Sequence, residues 1–260
     1  MAGLSGQQAR RLVLPAAALA GIILILVLAA MRPGPLFHRS LPDFSKVPAG
    51  EERKAAFFDF LHPYVEESNA NVLALRRQLL AIERQARLGS LNRRHLYWLQ
   101  VNGRAAGLEF ARYEQPAPEQ LEELERRLDI IPASLALAQA ALESGWGTSR
   151  FAQQGNNLFG MWCYEPGCGI VPRKRPAGAT YEVASYYSPR ESFLAYINNL
   201  NSNSAYASLR FRREQSRLEG RSPTGLELAD GLYRYSQEQW LYVEKVKGVI
   251  RNNNLTIYDQ

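Results

Sequence analysis

The sequence predicts an α+β protein that is mostly helical, with one small β-hairpin. Three observations predict it. From Glu51 onward apolar residues recur at helical spacing, with Arg and Glu between them. Only Thr180 to Tyr187 alternates as a strand does, with Tyr181, Val183 and Tyr186 as its β-favouring residues. Of the 260 residues, 46% are hydrophobic, which is enough for a core of ordinary size and excludes a disordered chain.

Arg10 and Arg11 precede an uninterrupted apolar run from Leu12 to Met31, long enough to cross a bilayer as a helix. Val27 and Ala29 offer only a weak cleavage site, so residues 12–31 read as a retained transmembrane anchor. Basic residues flank both ends, and the free amino group tips the balance towards a cytoplasmic segment 1–11. The rest of the chain is then expected outside the cytoplasmic membrane. Residues 32–50 turn to Pro, Gly and isolated polar residues and read as a linker that lifts the folded part away.

Residues 51–128 read as a helical extension. Phe57, Phe58, Leu61 and Val65 mark one helix and Val72, Leu75, Leu79, Leu80 and Ile82 a second, with a kink or boundary at His62-Pro63. Arg93 to Tyr113 resolves only into helix and turn. Pro116-Ala117-Pro118 opens a charged helix, Glu119 to Leu128. No constellation here suggests chemistry, and His62 reads as a packed or surface residue.

The region 129–260 carries the chemistry. A small-residue helix runs from Ala133 and stops beside Glu143, where Gly145 suits the left-handed position past a helix end. A carboxylate in the last turn faces the negative end of the helix dipole, and the nearby Trp146 indole can strip water from it. Both effects raise its pKa, as a general acid needs. Gly155-Asn156-Asn157 marks a turn rich in amides. Cys163 and Cys168 flank a Pro-Gly turn, which in an exported protein reads as a disulfide. Zinc would need two further ligands, and His38, His62 and His95 lie far upstream, so no metal is expected. Ser188-Pro189-Arg190-Glu191 is a helix start, and the chain ends in two more helices, Leu226 to Tyr233 and Tyr242 to Ile250.

The net charge of +6 suits work near anionic surfaces. Arg and Glu are interspersed along the helices, the pattern of a solvated face, so no nucleic-acid partner is expected. No Gly-rich phosphate loop or Ser/His/Asp pattern is present, and no cofactor is expected. What remains is carboxylates beside aromatics and amides, the equipment of a glycosidase.

Ala140-Ala141-Leu142-Glu143-Ser144-Gly145-Trp146-Gly147, Gly155 to Gly160, Cys163 to Gly169, and Gly178 to Val183 resemble, in that order, the bacterial Bax-type glucosaminidases. Asn198 to Asn201, Ala205-Tyr206 and Leu232 to Ser236 extend the resemblance, which covers about residues 129–255. This family is related to the peptidoglycan glucosaminidases of glycoside hydrolase family 73. The resemblance implies a lysozyme-like α+β domain over 129–260. It also implies endo-β-N-acetylglucosaminidase action on peptidoglycan glycan strands, and the predicted membrane anchor puts the catalytic part in the periplasm of a bacterium. Glu143 matches the catalytic acid, and Glu182 falls where a second carboxylate is often placed. Trp146, Asn157, Phe159 and Tyr235 match cleft-lining positions, with Tyr186 a further member. Two rival expectations remain: a catalytically silent glycan-binding or scaffolding protein, and a lytic transglycosylase. No protein partner can be read from the sequence.

Overall fold

The computed structural model describes residues 38–259. The predicted membrane segment and most of the linker lie outside the described residues. Among the described residues no helix is long and apolar enough to cross a membrane.

The first long element, α1 (Glu51–Arg87), is one helix of 37 residues with Pro63 inside it. The expected break at His62-Pro63 does not occur. Proline removes one helical hydrogen bond, but Phe57, Phe58, Leu61, Tyr64 and Val65 on both sides of it are buried, and that packing carries the helix through. The far half of α1 packs with α2 (Arg93–Ala105) and α3 (Pro118–Arg127) around Leu79, Ile82, Leu99, Phe110, Leu121 and Leu124, a local core.

The near half of α1 rests on α4 (Ala133–Ser144), whose first nine residues and Ser144 are all buried. Its small side chains let neighbours approach from every side, so α4 is the central element. Asn69 of α1 fixes the entry to α4 by exchanging two hydrogen bonds with the Ile131 backbone, at 2.8 and 3.2 Å. Buried Asp129, just before α4, accepts from Arg217 at 2.9 and 3.0 Å and lies 3.7 and 3.9 Å from Arg76 and Arg213. Burial opposes the charge on Asp129, but these guanidinium groups win and hold its pKa below the usual carboxylate range.

A short helix, α5 (Arg150–Gly155), leads into a three-stranded antiparallel sheet ordered β1 (Trp162–Cys163), β3 (Glu182–Ala184), β2 (Gly169–Ile170). The expected strand is therefore shorter than Thr180–Tyr187 and is the middle of a sheet, not half of a hairpin. Cys163 lies opposite Glu182, and Gly169 opposite Ala184. Strands of two residues carry no readable alternation, which is why the flanking pair escapes the sequence. The Cys163–Cys168 disulfide closes the loop between them.

The remaining helices are α6 (Pro189–Ser202), α7 (Ala207–Leu218), α8 (Gly225–Ala229) and α9 (Trp240–Asn252). Ser188 caps α6 as expected, its hydroxyl accepting from the Glu191 amide. The described end of the linker is docked, not extended. Leu41 and Phe44 are buried, Leu41 N donates to Asn156 Oδ1 at 3.3 Å, and Gln153 Nε2 donates to Pro42 O at 2.9 Å. Residues 38–259 thus form one compact unit.

Candidate active site

Glu143 occupies the last turn of α4 and is half-buried. The helix ends in three successive left-handed residues, Gly145, Trp146 and Gly147, with φ of 56°, 58° and 74°. For tryptophan this costs on the order of 1–2 kcal/mol. Its ring is held against Phe57 and Phe58 of α1, with centroids 5.9 and 5.4 Å away, and Lys54 lies over it at 5.8 Å. Gly147 cannot be replaced cheaply, because a Cβ there would stand 2.5 Å from the Phe44 ring. Trp146 thus ties the end of α4 to the extension.

The two oxygens of the Glu143 carboxyl have different surroundings. Oε1 accepts from the Tyr242 hydroxyl at 2.7 Å. Oε2 faces Gly160, where an added Cβ would stand only 3.3 Å away, so the glycine keeps this oxygen uncovered. Behind Tyr242 runs a buried relay. Tyr196 donates its hydroxyl to Gln139 Oε1 at 2.8 Å, and Gln139 Nε2 donates to the Tyr242 oxygen at 2.9 Å. Burial pushes the Glu143 pKa up, the Tyr242 hydrogen bond partly offsets this, and the charge of Glu238 adds to the rise.

Tyr235 stacks on Tyr242 with ring planes 4° apart and donates its hydroxyl to Phe159 O at 2.9 Å. Phe159 is itself buried and stacks on Tyr196 at 3.9 Å. These contacts bring Glu143, Tyr235 and the Phe159–Gly160 segment together. Phe159 supports the site through its backbone and its packing, and its ring faces the core. Asn157 is 1% exposed, and its amide is used within its own loop: Nδ2 donates to Met161 O and Ala184 O, and Oδ1 accepts from Met161 N. It therefore joins the loop to β3, with no free amide group to offer a sugar. Tyr186 is half-buried at the foot of the same loop, its amide donating to Gly155 O at 2.8 Å.

Glu182 lies on β3, buried beneath the disulfide loop. Its carboxylate accepts from Gly167 N at 3.1 Å and Gly169 N at 2.8 Å. These two amides hold its pKa below the usual carboxylate range. Cys163, Cys168 and Glu182 form a compact group that could meet one ion, but the two sulfurs are joined to each other and offer no thiolate.

Sequence reasoning missed Gln139, Tyr196 and Tyr242. Gln139 was visible as the one amide in an otherwise small and apolar helix, four residues before Glu143 and so on its face. Tyr242 left no such signal, because only the fold brings α9 to α4. Exposed Trp162 of β1, which packs on half-buried Tyr181 with ring centroids 4.1 Å apart, was also missed.

A family model described as mannosyl-glycoprotein endo-beta-N-acetylglucosaminidase matches residues 118–255, a span that holds every residue of the site. "Protein bax" of Escherichia coli (strain K12) is 32% identical over 224 residues, covering 84% of this chain and 76% of that protein. The crystal structure of the catalytic domain of the autolysin Auto from Listeria monocytogenes aligns with a TM-score of 0.40 at 17% identity, over 82% of this chain and 92% of that one. The family match and the Bax relative agree with the motifs around Glu143, and the chain belongs to the Bax-type glucosaminidases, a family of glycoside hydrolases.

Proposed function

We propose that this protein is a peptidoglycan hydrolase that cleaves the β-1,4 bond after N-acetylglucosamine, with Glu143 as general acid. The observation that carries the reading is the division of labour within one carboxyl. Tyr242 holds Oε1, burial favours the protonated form, and Oε2 faces the space left by Gly160. An acid that must give its proton to a leaving oxygen needs that combination of orientation and raised pKa.

Glu182 fits the complementary role. Its surroundings push its pKa in the opposite direction from that of Glu143, and a split of this kind separates an acid from a charged partner. Both Glu182 oxygens are engaged by the Gly167 and Gly169 amides, so activating a water or orienting the substrate's acetamido group requires this loop to release the carboxylate. Tyr235 supplies an aromatic wall beside Glu143, and Trp146, Asn157, Phe159 and Tyr186 position the segments that form the cleft. The apolar run from Leu12 to Met31 and the disulfide support a single-pass protein of the bacterial inner membrane with its catalytic part in the periplasm.

Mass spectrometry of the fragments released from purified peptidoglycan tests the reaction. The expected products end in reducing N-acetylglucosamine. A 1,6-anhydro end would make the protein a lytic transglycosylase, and glycan binding without product would make it a silent scaffold.

A further inference from the structure

Past Gly160, which faces Glu143 Oε2, the chain enters β1, and Trp162 is the second residue along, within about 7 Å of that glycine. Its side chain is 49% exposed, although tryptophan is among the residues that gain most from burial. It packs on half-buried Tyr181, and the two rings offer an aromatic surface beside the segment that faces Glu143. The turn next to this pair is basic. The Arg175 amide donates to Pro172 O at 3.1 Å, which makes Arg173 and Lys174 the two central residues of a β-turn. The arginines on either side build it. Arg150 donates to Val171 O at 3.0 Å before the turn, and Arg175 donates to Tyr181 O at 3.1 Å after it. The second bond ties the turn to the residue that carries one of the rings.

Arg173 and Lys174 themselves are exposed, and among the described residues no carboxylate lies within 4.0 Å of either. The acids of this lobe do not neutralise them. Between Ser149 and Tyr187 only Glu165 and Glu182 are acidic, and Glu182 is buried and held by two amides. An exposed indole joined to two unpaired cations suits a ligand that has both an apolar ring face and a carboxylate. An anionic lipid surface would satisfy the same groups, but the patch starts two residues from the glycine that faces Glu143, where a glycan substrate has to pass. The glycan strand of peptidoglycan has both features, since alternate sugars carry a stem peptide with free carboxylates.

Building on the function proposed above, we propose that Trp162 and Tyr181 receive a sugar next to the scissile bond while Arg173 and Lys174 pair with the carboxylates of its stem peptide. The protein then prefers peptide-bearing strands to bare ones. The rings supply affinity for any strand, and the turn supplies the discrimination.

The test is calorimetric titration of the full chain carrying Glu143→Gln, which leaves the ligand uncut, in a non-ionic detergent at low salt. The probes are soluble glycan strands of one length, either bearing stem peptides or stripped of them by an amidase. Peptide-bearing strands should bind about three- to tenfold more tightly, and the ratio should shrink towards one in about 0.5 M salt. Arg173→Gln together with Lys174→Gln should abolish the preference and leave the affinity for stripped strands unchanged, whereas Trp162→Ala should weaken both strands alike. Equal affinity for the two strands would overturn the proposal and leave the patch to an anionic surface. A preference that survives the loss of both cations would also overturn it. Cleavage is read separately with the wild-type chain: strands that bind with this preference but are never cut would refute the reaction proposed above and support this site.

Discussion

Tyr242 donates its hydroxyl to Glu143 across 2.7 Å although 99 residues separate them. The bond joins α9 to the end of α4, and Gln139 and Tyr196 hold Tyr242 from behind. The proposed general acid, Glu143, is therefore oriented by a three-residue support that none of its own sequence neighbours supplies, apart from Gln139.

Removing that bond has two separable consequences. Tyr242→Phe leaves the ring stacked on Tyr235 but takes away the donor to Oε1. Because this hydrogen bond lowers the Glu143 pKa, its loss raises it further. The basic limb of the pH–rate profile should move to higher pH, and kcat/KM at the optimum should fall by about tenfold or more through lost orientation. Rates measured from pH 4 to 9 on the two proteins check this.

The disulfide acts on Glu182 through the loop it closes. Replacing Cys163 and Cys168 by serine frees Gly167 and Gly169, whose amides hold the carboxylate. Constraint of so short a loop is worth about 2 kcal/mol. Thermal denaturation should show a loss of that order, and activity should fall by more than the unfolded fraction explains.

The extension is part of the folded unit. Phe57, Leu61 and Val65 of α1 are fully buried, and Phe57 and Phe58 receive the Trp146 ring just past the end of α4. A fragment that begins at Pro118, where the family match begins, exposes that surface. It should fail to give a cooperative melt, whereas residues 38–260 should give one. Within the longer fragment, Phe57→Ala should cost about 3–5 kcal/mol.

The sequence and the structure agree best where a local rule decides the outcome. The stop of α4 at Gly145, the Ser188 cap of α6 and the Cys163–Cys168 pair each depend on a few adjacent residues. They part where long-range packing overrides a local preference. Pro63 argues for a break in α1, and buried neighbours keep the helix whole. The linker composition around Pro42 argues for an extended tether, and Leu41 and Phe44 dock it. The site divides in the same way. Glu143 and Glu182 stand out in the motifs as candidates, while the relay behind Glu143 depends on contacts between α4, α6 and α9 that no spacing in the chain records. Asn157 illustrates a residue type that suits two jobs, since only its surroundings reveal that both ends of its amide are engaged in the loop.

The most direct test of the account is the release of reducing ends from purified peptidoglycan by the wild-type chain and by Glu143→Gln. The substitution keeps the shape of the side chain and its bond from Tyr242 but removes the transferable proton. The account predicts a fall of about 100-fold or more, with an unchanged thermal melt. A Glu143→Gln protein that cleaves at the wild-type rate would contradict it.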